Sequence, residues 1–331
     1  MIKAGIIGTG IGFKHFEAIN GYRGSKVVSV LEKNHKKRYT LKKKFRSVNF
    51  FSDEKKFFQQ KNLNFISIAS YDEDHYPQIL KAIKNNWNII VEKPVCLKKI
   101  QLKKIYRELK KKPNIKFISN LVLRYNSLFI KIKSQINLKN VYHIDVSYLW
   151  GRKEKLFTWR SKTRDYSLTL GATIHILDLV CWILNSRPIS VFTKASYKIT
   201  KNTKFKKFSF ANYIFTFPKN VIVNLKADGV CMHPHYHTIN VFEKNKTFIS
   251  NLNGQYEIKK KNNNSYQITK KNYNYPDKKN RGKLIKFFID SILDKKTQPI
   301  AKKSIFDLMT ACFYADLSKK KCKELKIKYL K

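Results

Sequence analysis

Cysteine is scarce and carries no paired spacing: Cys96, Cys181, Cys231, Cys312 and Cys322 form an odd set, and no two stand as C-x-x-C. Neither a disulfide framework nor a thiolate zinc site is written into such a chain, so the thiols read as reduced and mostly buried. Long apolar runs are missing as well. No stretch approaches the roughly 18 residues of a bilayer span, and the opening MIKAGIIGTG runs straight into a glycine-rich turn, without the positive n-region and cleavage site of an export signal. A cytoplasmic location with no membrane partner is the expectation. Acidic residues are few, 22 against 69 Lys and Arg, for a formal net charge of +47. An excess of that size raises nucleic acid or an anionic surface as a partner. It is spread along the whole chain as Lys, beside abundant Asn and Ile, and no helix face concentrates it. A solvated lysine coat is therefore the reading, with no nucleic-acid partner, although the field favours anionic substrates.

What is present suffices for folding. A chain of 331 residues with 43% hydrophobic content holds one large or two ordinary domains. Up to about residue 120, apolar runs alternate with amphipathic stretches: IKAGIIG, then a helix from about 11; KVVSVLE, then 34–46; NFISIAS, then 73–86; WNIIVEKP, then 97–112; and PNIKFISN as a further strand. That alternation predicts βαβ units and a doubly wound parallel sheet. Leu102, Ile105, Tyr106 and Leu109 show the helical period directly.

From about 121 the pattern becomes a helix (127–137), the strand VYHIDVSYLWG, a polar loop, a helix (171–184) and a strand series over 188–270. Turn signals interrupt the series at Pro218-Lys219-Asn220 and Asn253-Gly254, and KKKNNN (259–264) reads as a hairpin tip. Two helices close the chain, 281–293 with Leu284, Phe287, Phe288 and Ile292 on one face, and 304–318. The expected architecture is α/β: residues 1–121 as a Rossmann domain and 122–331 as an α+β domain with a mostly antiparallel open sheet.

IIGTGIG places Gly8, Gly10 and Gly12 after the first strand and at the start of a helix, the setting a dinucleotide fingerprint requires. Glycines there let the backbone approach a pyrophosphate, whose charge rests on the helix N-terminus. The third small residue of G-x-G-x-x-G falls on Phe13, with Gly12 one place early. Glu32, ending the second strand about 20 residues on, is placed to accept from an adenosine ribose and to repel a 2′-phosphate. NAD is thus the expected cofactor, with NADP left open by the nearby Lys33 and Arg38. The cofactor set comprises Gly8, Thr9, Gly10, Ile11, Gly12, Phe13 and Glu32, joined by Ala69, Ser70, His75 and Glu92 at or near later strand ends.

Glu92 and Lys93 follow the apolar run Ile89-Ile90-Val91, where open α/β sheets bind their ligands. An ammonium there can exchange the proton of a substrate hydroxyl while a hydride moves, once desolvation and nearby positive charge pull its pKa toward neutrality. ATIHILDLVCWIL is a helix apolar almost all round, whose ionisable residues, His175 and Asp178, lie three apart on one face. Polar groups in such a helix are either paired in the core or facing a cavity.

The order GTGIGFKH, IASYDEDH (68–75), VEKP (91–94) and WRSKTRDYSLTLGATIHILDL (159–179) resembles the glucose-fructose oxidoreductase / inositol 2-dehydrogenase / MocA family over nearly the whole chain. The resemblance implies a catalytic or substrate-orienting role for Lys93, with His175 as its partner and Asp178 as an orienting neighbour at the substrate. Many members carry an aspartate four residues before that histidine; Gly171 stands there, leaving Asp165 or Tyr166 as helpers or the enzyme impaired. Tyr71 also replaces the usual Pro after the A-[ST] pair. A softer similarity, carried by NLVLRYNSLF, YLWGR and HPHYH, points to a branch acting on sugars of surface polysaccharides.

Arg124, Arg152, Arg160 and Arg164 supply candidate bidentate contacts to a phosphate or carboxylate, and Tyr125, Trp150 and Trp159 candidate faces for a sugar or base. Of these, Arg160 and Tyr125 are carried forward as substrate contacts. His233, His235 and His237 alternate along one strand face, but Pro234 and the lack of a nearby carboxylate argue against zinc, and no metal is expected. The reading is an NAD(P)-dependent oxidoreductase of a sugar or nucleotide-sugar, a homodimer or homotetramer by the resemblance. An NAD-binding protein that has lost its chemistry is the alternative, and a basic nucleic-acid binder a more distant one.

Overall fold

The computed structural model describes residues 1–262, 265–277 and 282–331. The chain divides into two compact units, Met1–Leu121 with Arg281–Phe306, and Val122–Asn280 with Asp307–Lys331. The C-terminal stretch expected to stay with the second domain thus returns in part to the first.

In the first unit six strands, β1 (Ile2–Ile7), β2 (Ser25–Leu31), β3 (Asn49–Phe51), β4 (Phe65–Ile68), β5 (Asn88–Val91) and β6 (Phe117–Ser119), form one parallel sheet in the order β3-β2-β1-β4-β5-β6. Every residue of β4 and β6 is buried, as befits strands covered on both faces. The helices are α1 (Gly12–Asn20), α2 (His35–Lys44), α3 (Glu54–Phe58), α4 (His75–Lys84) and α5 (Lys99–Lys111). The period in the fifth is realised: Leu102, Ile105 and Leu109 are buried. Strand β3 and helix α3 have no counterpart in the sequence reading, being too short to show a period. The order reverses at β1, which lies between β2 and β4, and that switch point opens the crevice where such sheets bind ligands.

The helix Lys283–Leu293 belongs to this unit: Phe288 meets Phe65 of β4 edge-on at 5.7 Å, and the Tyr22 hydroxyl donates to Asp290 at 2.7 Å. It buries Leu284, Ile285, Phe288 and Ile289, whereas Phe287 is 48% exposed. The expected face is rotated by about one residue, because the buried surface joins the i, i+4 row of Ile285 and Ile289 to that of Leu284 and Phe288 and leaves Phe287 outside.

The second unit holds a nine-stranded sheet of β7 (Val141–Leu149), β8 (Ser190–Ser196), β9 (Phe210–Phe217), β10 (Val221–Asp228), β11 (Tyr236–Glu243), β12 (Lys246–Asn251), β13 (Gly254–Asn262), β14 (Ser265–Lys271) and β15 (Leu325–Lys326), ordered β14-β13-β12-β11-β7-β10-β9-β8-β15. All neighbours are antiparallel except β7 and β10, which run parallel at its centre. Alternation sends Ala211, Tyr213, Phe215 and Phe217 of β9 to the core and leaves Asn212 and Ile214 exposed. The Pro218–Asn220 turn carries Lys219 and Asn220 at φ of 60° and 58°. Asn263 and Asn264 of the expected hairpin tip, and residue 281 of the expected helix start, lie outside the described residues.

The remaining helices are α6 (Ser127–Gln135), α7 (Glu154–Phe157), α8 (Trp159–Lys162), α9 (Ile174–Ile183) and a long helix, Lys302–Lys321, along which the two units divide. A π-helical turn, Thr169–Thr173, leads into α9. It is tied by Asp316, which accepts from Ser167 Oγ at 2.7 Å and from Thr169 Oγ1. Among the described residues no helix is long and apolar enough to cross a membrane.

Candidate functional site

In the first unit the glycine loop leaves β1 at Gly8, whose φ of +80° and closeness to the Ala69 carbonyl, 2.6 Å from where a Cβ would stand, leave no place for a side chain. Gly10 is open, with nothing within 4 Å of a Cβ position. Gly12 does what the misplaced third glycine was expected to do: a Cβ there would lie 3.0 Å from Ala69 Cβ and 3.4 Å from Ile6 Cγ2, so it sets the close approach of α1 to the sheet. Phe13 turns into an aromatic cluster with Phe16 and Phe45, at 5.7 and 6.2 Å between centroids. No side chain caps α1, and Ile11 at its start is 49% exposed. That leaves the amide end of the helix for an anion.

Glu32 closes the loop from the far side. It accepts from Thr9 N at 3.0 Å, from Thr9 Oγ1, and from Asn34 N at 2.8 Å. Burial opposes its ionisation, but the bonds from Thr9 and Asn34 outweigh it and hold the carboxyl below its usual range. Arg38 spends Nη1 on the carbonyls of Glu32 and Lys33, at 2.8 and 3.3 Å. An open Gly10, an uncapped helix start and an ionised carboxylate at the end of β2 fit a dinucleotide with a free ribose diol. Replacing Glu32 with alanine is expected to weaken NAD binding about tenfold and to narrow its preference over NADP, both readable by calorimetry.

At the other side of the switch point, Glu92 N donates to the Ile68 carbonyl at 2.8 Å and fixes the turn that carries Lys93. The Glu92 carboxylate faces inward, 3.1 Å from His15 Nε2 and 2.6 Å from the donating Asn120 Nδ2; His15 Nδ1 in turn meets Ser67 Oγ at 2.7 Å. Burial opposes the Glu92 charge, and His15, Asn120 and the Lys93 ammonium outweigh it, so its pKa is lowered. His15, Ser67 and Asn120 were not singled out from the sequence; the only signal was a histidine three residues past Gly12 on the buried face of α1. His75 is fully buried, its nitrogens 2.7 Å from the Pro94 carbonyl and 3.3 Å from that of Ser70. It braces both loops from within, instead of offering itself at the surface. Ser70 Oγ donates to Gln78 Oε1 at 2.6 Å.

In the second unit His175 sits on α9, and its ring is 6.1 Å from that of Tyr148, the penultimate residue of β7. Tyr148 also meets His235 at 5.3 Å and His237 at 4.3 Å. The alternating histidines go to separate partners: His233 Nδ1 lies 2.7 Å from the Pro234 carbonyl, His235 Nδ1 3.3 Å from that of Trp150, and His237 Nδ1 on the Tyr275 hydroxyl. Asp178 has a different partner from the neighbour its spacing suggests. Both its oxygens are taken by Arg124, with Nε donating to Oδ2 at 2.8 Å and Nη2 to Oδ1, and at 1% exposure it is a core ion pair and not a surface for substrate. Burial raises the Asp178 pKa against the pull of Arg124. Tyr125, beside that pair, is pushed up to about 12, mainly by burial. A Cβ at Gly171 would overlap the Tyr166 hydroxyl, so the buried phenol occupies the space in which a longer side chain would begin.

Burial, then the charge of His235, pushes the His237 pKa down to about 3. The imidazole is neutral when folded and titrates near its ordinary 6.5 when unfolded, so acidification favours the unfolded state from pH 6.5 downward. By pH 5 the loss reaches about 2 kcal/mol. Urea melts at pH 7 and pH 5 are expected to show it, and His237→Phe to flatten that part of the dependence.

A Rossmann sheet with a glycine loop at its switch point and an ionised carboxylate at the end of β2 is the arrangement of NAD-binding oxidoreductases. Two family models match: that of the "Oxidoreductase family, NAD-binding Rossmann fold" over residues 2–120, and the "GFO/IDH/MocA C-terminal domain" over 137–248. The chain belongs to the Gfo/Idh/MocA family of oxidoreductases. It is similar in fold to myo-inositol 2-dehydrogenase from Lactobacillus plantarum (16% identity, 99% of each chain covered, TM-score 0.83). Scyllo-inositol dehydrogenase from Lactobacillus casei, with bound NAD(H) and scyllo-inositol, matches at 16% identity over 98% of this chain and 99% of that one, TM-score 0.81. An oxidoreductase from Agrobacterium radiobacter in complex with NAD+, L-tartaric acid and magnesium matches at 13% identity over 98% of each, TM-score 0.84.

Proposed function

We propose that the protein interconverts a secondary alcohol and a ketone on a sugar or a nucleotide-linked sugar, with NAD as the hydride carrier. The observation that carries this reading is the Glu92-Lys93 turn at the carboxyl end of β5, in the same sheet as the glycine loop and Glu32. NAD, when bound, supplies the hydride acceptor. The residues of the chain then have separable tasks. Gly8, Gly10 and Gly12 admit the pyrophosphate, Glu32 holds the ribose, and Glu92, fixed by His15 and Asn120, orients the turn of Lys93. Lys93 exchanges the hydroxyl proton, and His175 is the second acid–base group. The inositol dehydrogenases of the same fold support the alcohol chemistry.

The test is NADH formation, followed by absorbance, across a panel of polyols, sugars and nucleotide-sugars. Turnover of at least one is expected, and absence of turnover across the panel with NAD bound would favour the second reading, a cofactor-binding protein without chemistry. The specific observation behind that reading is Gly171, where Tyr166 fills the place of an acidic side chain.

We assign assembly to a homodimer or homotetramer through the open face of the nine-stranded sheet. There Phe192, Ile214, Ile222 and Phe242 are partly or fully exposed among polar neighbours. Light scattering on the purified protein checks it, a monomer being the contrary result.

A further inference from the structure

Arginine is sparse beside lysine in this chain, and several of its guanidinium groups are spent internally: Arg124 on Asp178, Arg187 on Asp307, and Arg38 on two carbonyls. Arg160 is held differently. Its guanidinium lies 4.3 Å from the ring centroid of Trp159, 5.2 Å from that of Trp150 and 5.9 Å from that of Tyr166. Among the described residues it pairs with no carboxylate, and its hydrogen bond is one long donation, 3.4 Å, from Nη1 to the Lys155 carbonyl. Aromatic faces thus fix the orientation of the fork while leaving most of its N–H donors unspent.

Two more cations share the neighbourhood. Arg152 and Lys155 make no ion pair among the described residues, and burial followed by the charges of Arg152 and Arg160 lowers the Lys155 pKa. Three like charges brought together with no ion pair among the described residues repel one another, a cost that an arriving anion removes. A general lysine coat does not account for an arginine framed by three rings. The cluster also adjoins the surface that carries His175. The Tyr148 phenol, 6.1 Å from the His175 ring and 6.4 Å from that of Trp150, feels Arg152 and Arg160 against the burial that pushes it up to about 12. On the same aromatic floor His237, 6% exposed, has its Nε2 buried without a partner among the described residues. A buried polar atom left open in this way is expected to meet a ligand group.

We propose that Arg160, assisted by Arg152 and Lys155, binds an oxyanion of the substrate, so that the sugar turned over is a sugar acid, sugar phosphate or nucleotide-sugar and not a neutral polyol. The proposal rests on the preceding reading for the alcohol chemistry, and the oxyanion, phosphate or carboxylate, is the shared recognition element.

Calorimetric titration decides it, in the presence of saturating NAD and at about 0.15 M ionic strength, where exposed charges are largely screened. The probes are glucose, glucose 6-phosphate, glucuronate and inorganic pyrophosphate. At least one anionic probe is expected to bind about tenfold or more tightly than glucose, and Arg160→Gln to remove that advantage. Arg160→Lys, which keeps the charge and the ring contacts but loses the fork, should retain part of it, and the exposed Lys270→Gln all of it. Tighter glucuronate points to a carboxylate, and tighter glucose 6-phosphate and pyrophosphate to a phosphate. Equal binding of anions and glucose, no anion binding, or equal losses in Arg160→Gln and Lys270→Gln would overturn the proposal. Arg160-dependent anion binding without NADH formation from any sugar would instead remove the oxidoreductase reading and leave the anion site standing.

Discussion

Lys93→Ala is expected to lower kcat by about 10²- to 10⁴-fold on any substrate that the wild-type protein oxidises, the range over which positioned acid–base groups act. Binding of NAD should change little, because Gly8, Gly10, Gly12 and Glu32, which shape the cofactor loop, are untouched. The separation matters. A residue that merely supported the fold would weaken cofactor binding and thermal stability together, whereas loss of a proton carrier appears in kcat and in the pH profile alone. Lys93→Arg should not restore the rate, since a guanidinium does not give up its proton near neutrality. Steady-state kinetics with calorimetric NAD affinity is the measurement, and a variant with undiminished kcat would remove Lys93 from the mechanism.

The supports of that lysine are visible. Glu92 is held at both ends of its charge balance, by the Lys93 ammonium on one side and by His15 and Asn120 on the other. Its backbone amide is tied to Ile68 of the neighbouring strand. The turn is therefore set by groups contributed from α1, β4, β5 and the end of β6, all within one unit, and that preorganisation is what a positioned acid–base group requires.

Arg124→Ala is the substitution with the largest expected effect on stability. It strands Asp178, 1% exposed, without the fork that compensates its charge. Breaking a buried pair from one side costs about 3–5 kcal/mol. The Asp178 pKa, already raised by burial, should rise further once the guanidinium is gone. The sign follows from linkage. A carboxyl whose folded pKa exceeds its unfolded value favours folding most when protonated, so the variant should recover stability as the pH falls toward the unfolded value of the group. Removing both charges, as Arg124→Met with Asp178→Leu, should return most of the loss, because an apolar pair of similar volume needs no compensation. Urea denaturation of the two variants tests this, and an Arg124→Ala variant as stable as the wild type would show that the pair contributes nothing.

The sequence by itself determined the alternation of strands and helices up to β6, apart from the short β3 and α3, together with the glycine loop, the carboxylate of Glu32 and the place of Lys93 at a strand's end. Each of these is written in local period or in short spacing, which the chain reports wherever its neighbours lie. Tertiary structure alone decided the partners of the polar groups. Asp178 takes Arg124, 54 residues away, in place of the neighbour three residues along its helix; Glu92 takes His15 across 77 residues; Tyr166 fills the space above Gly171. It also sent Lys283–Leu293 back to the first unit and turned that helix by one residue, burying Ile285 and exposing Phe287. The reason is the same in each case. An apolar period says which side of an element leaves water, but a buried charge or phenol is satisfied only by what the completed packing places against it.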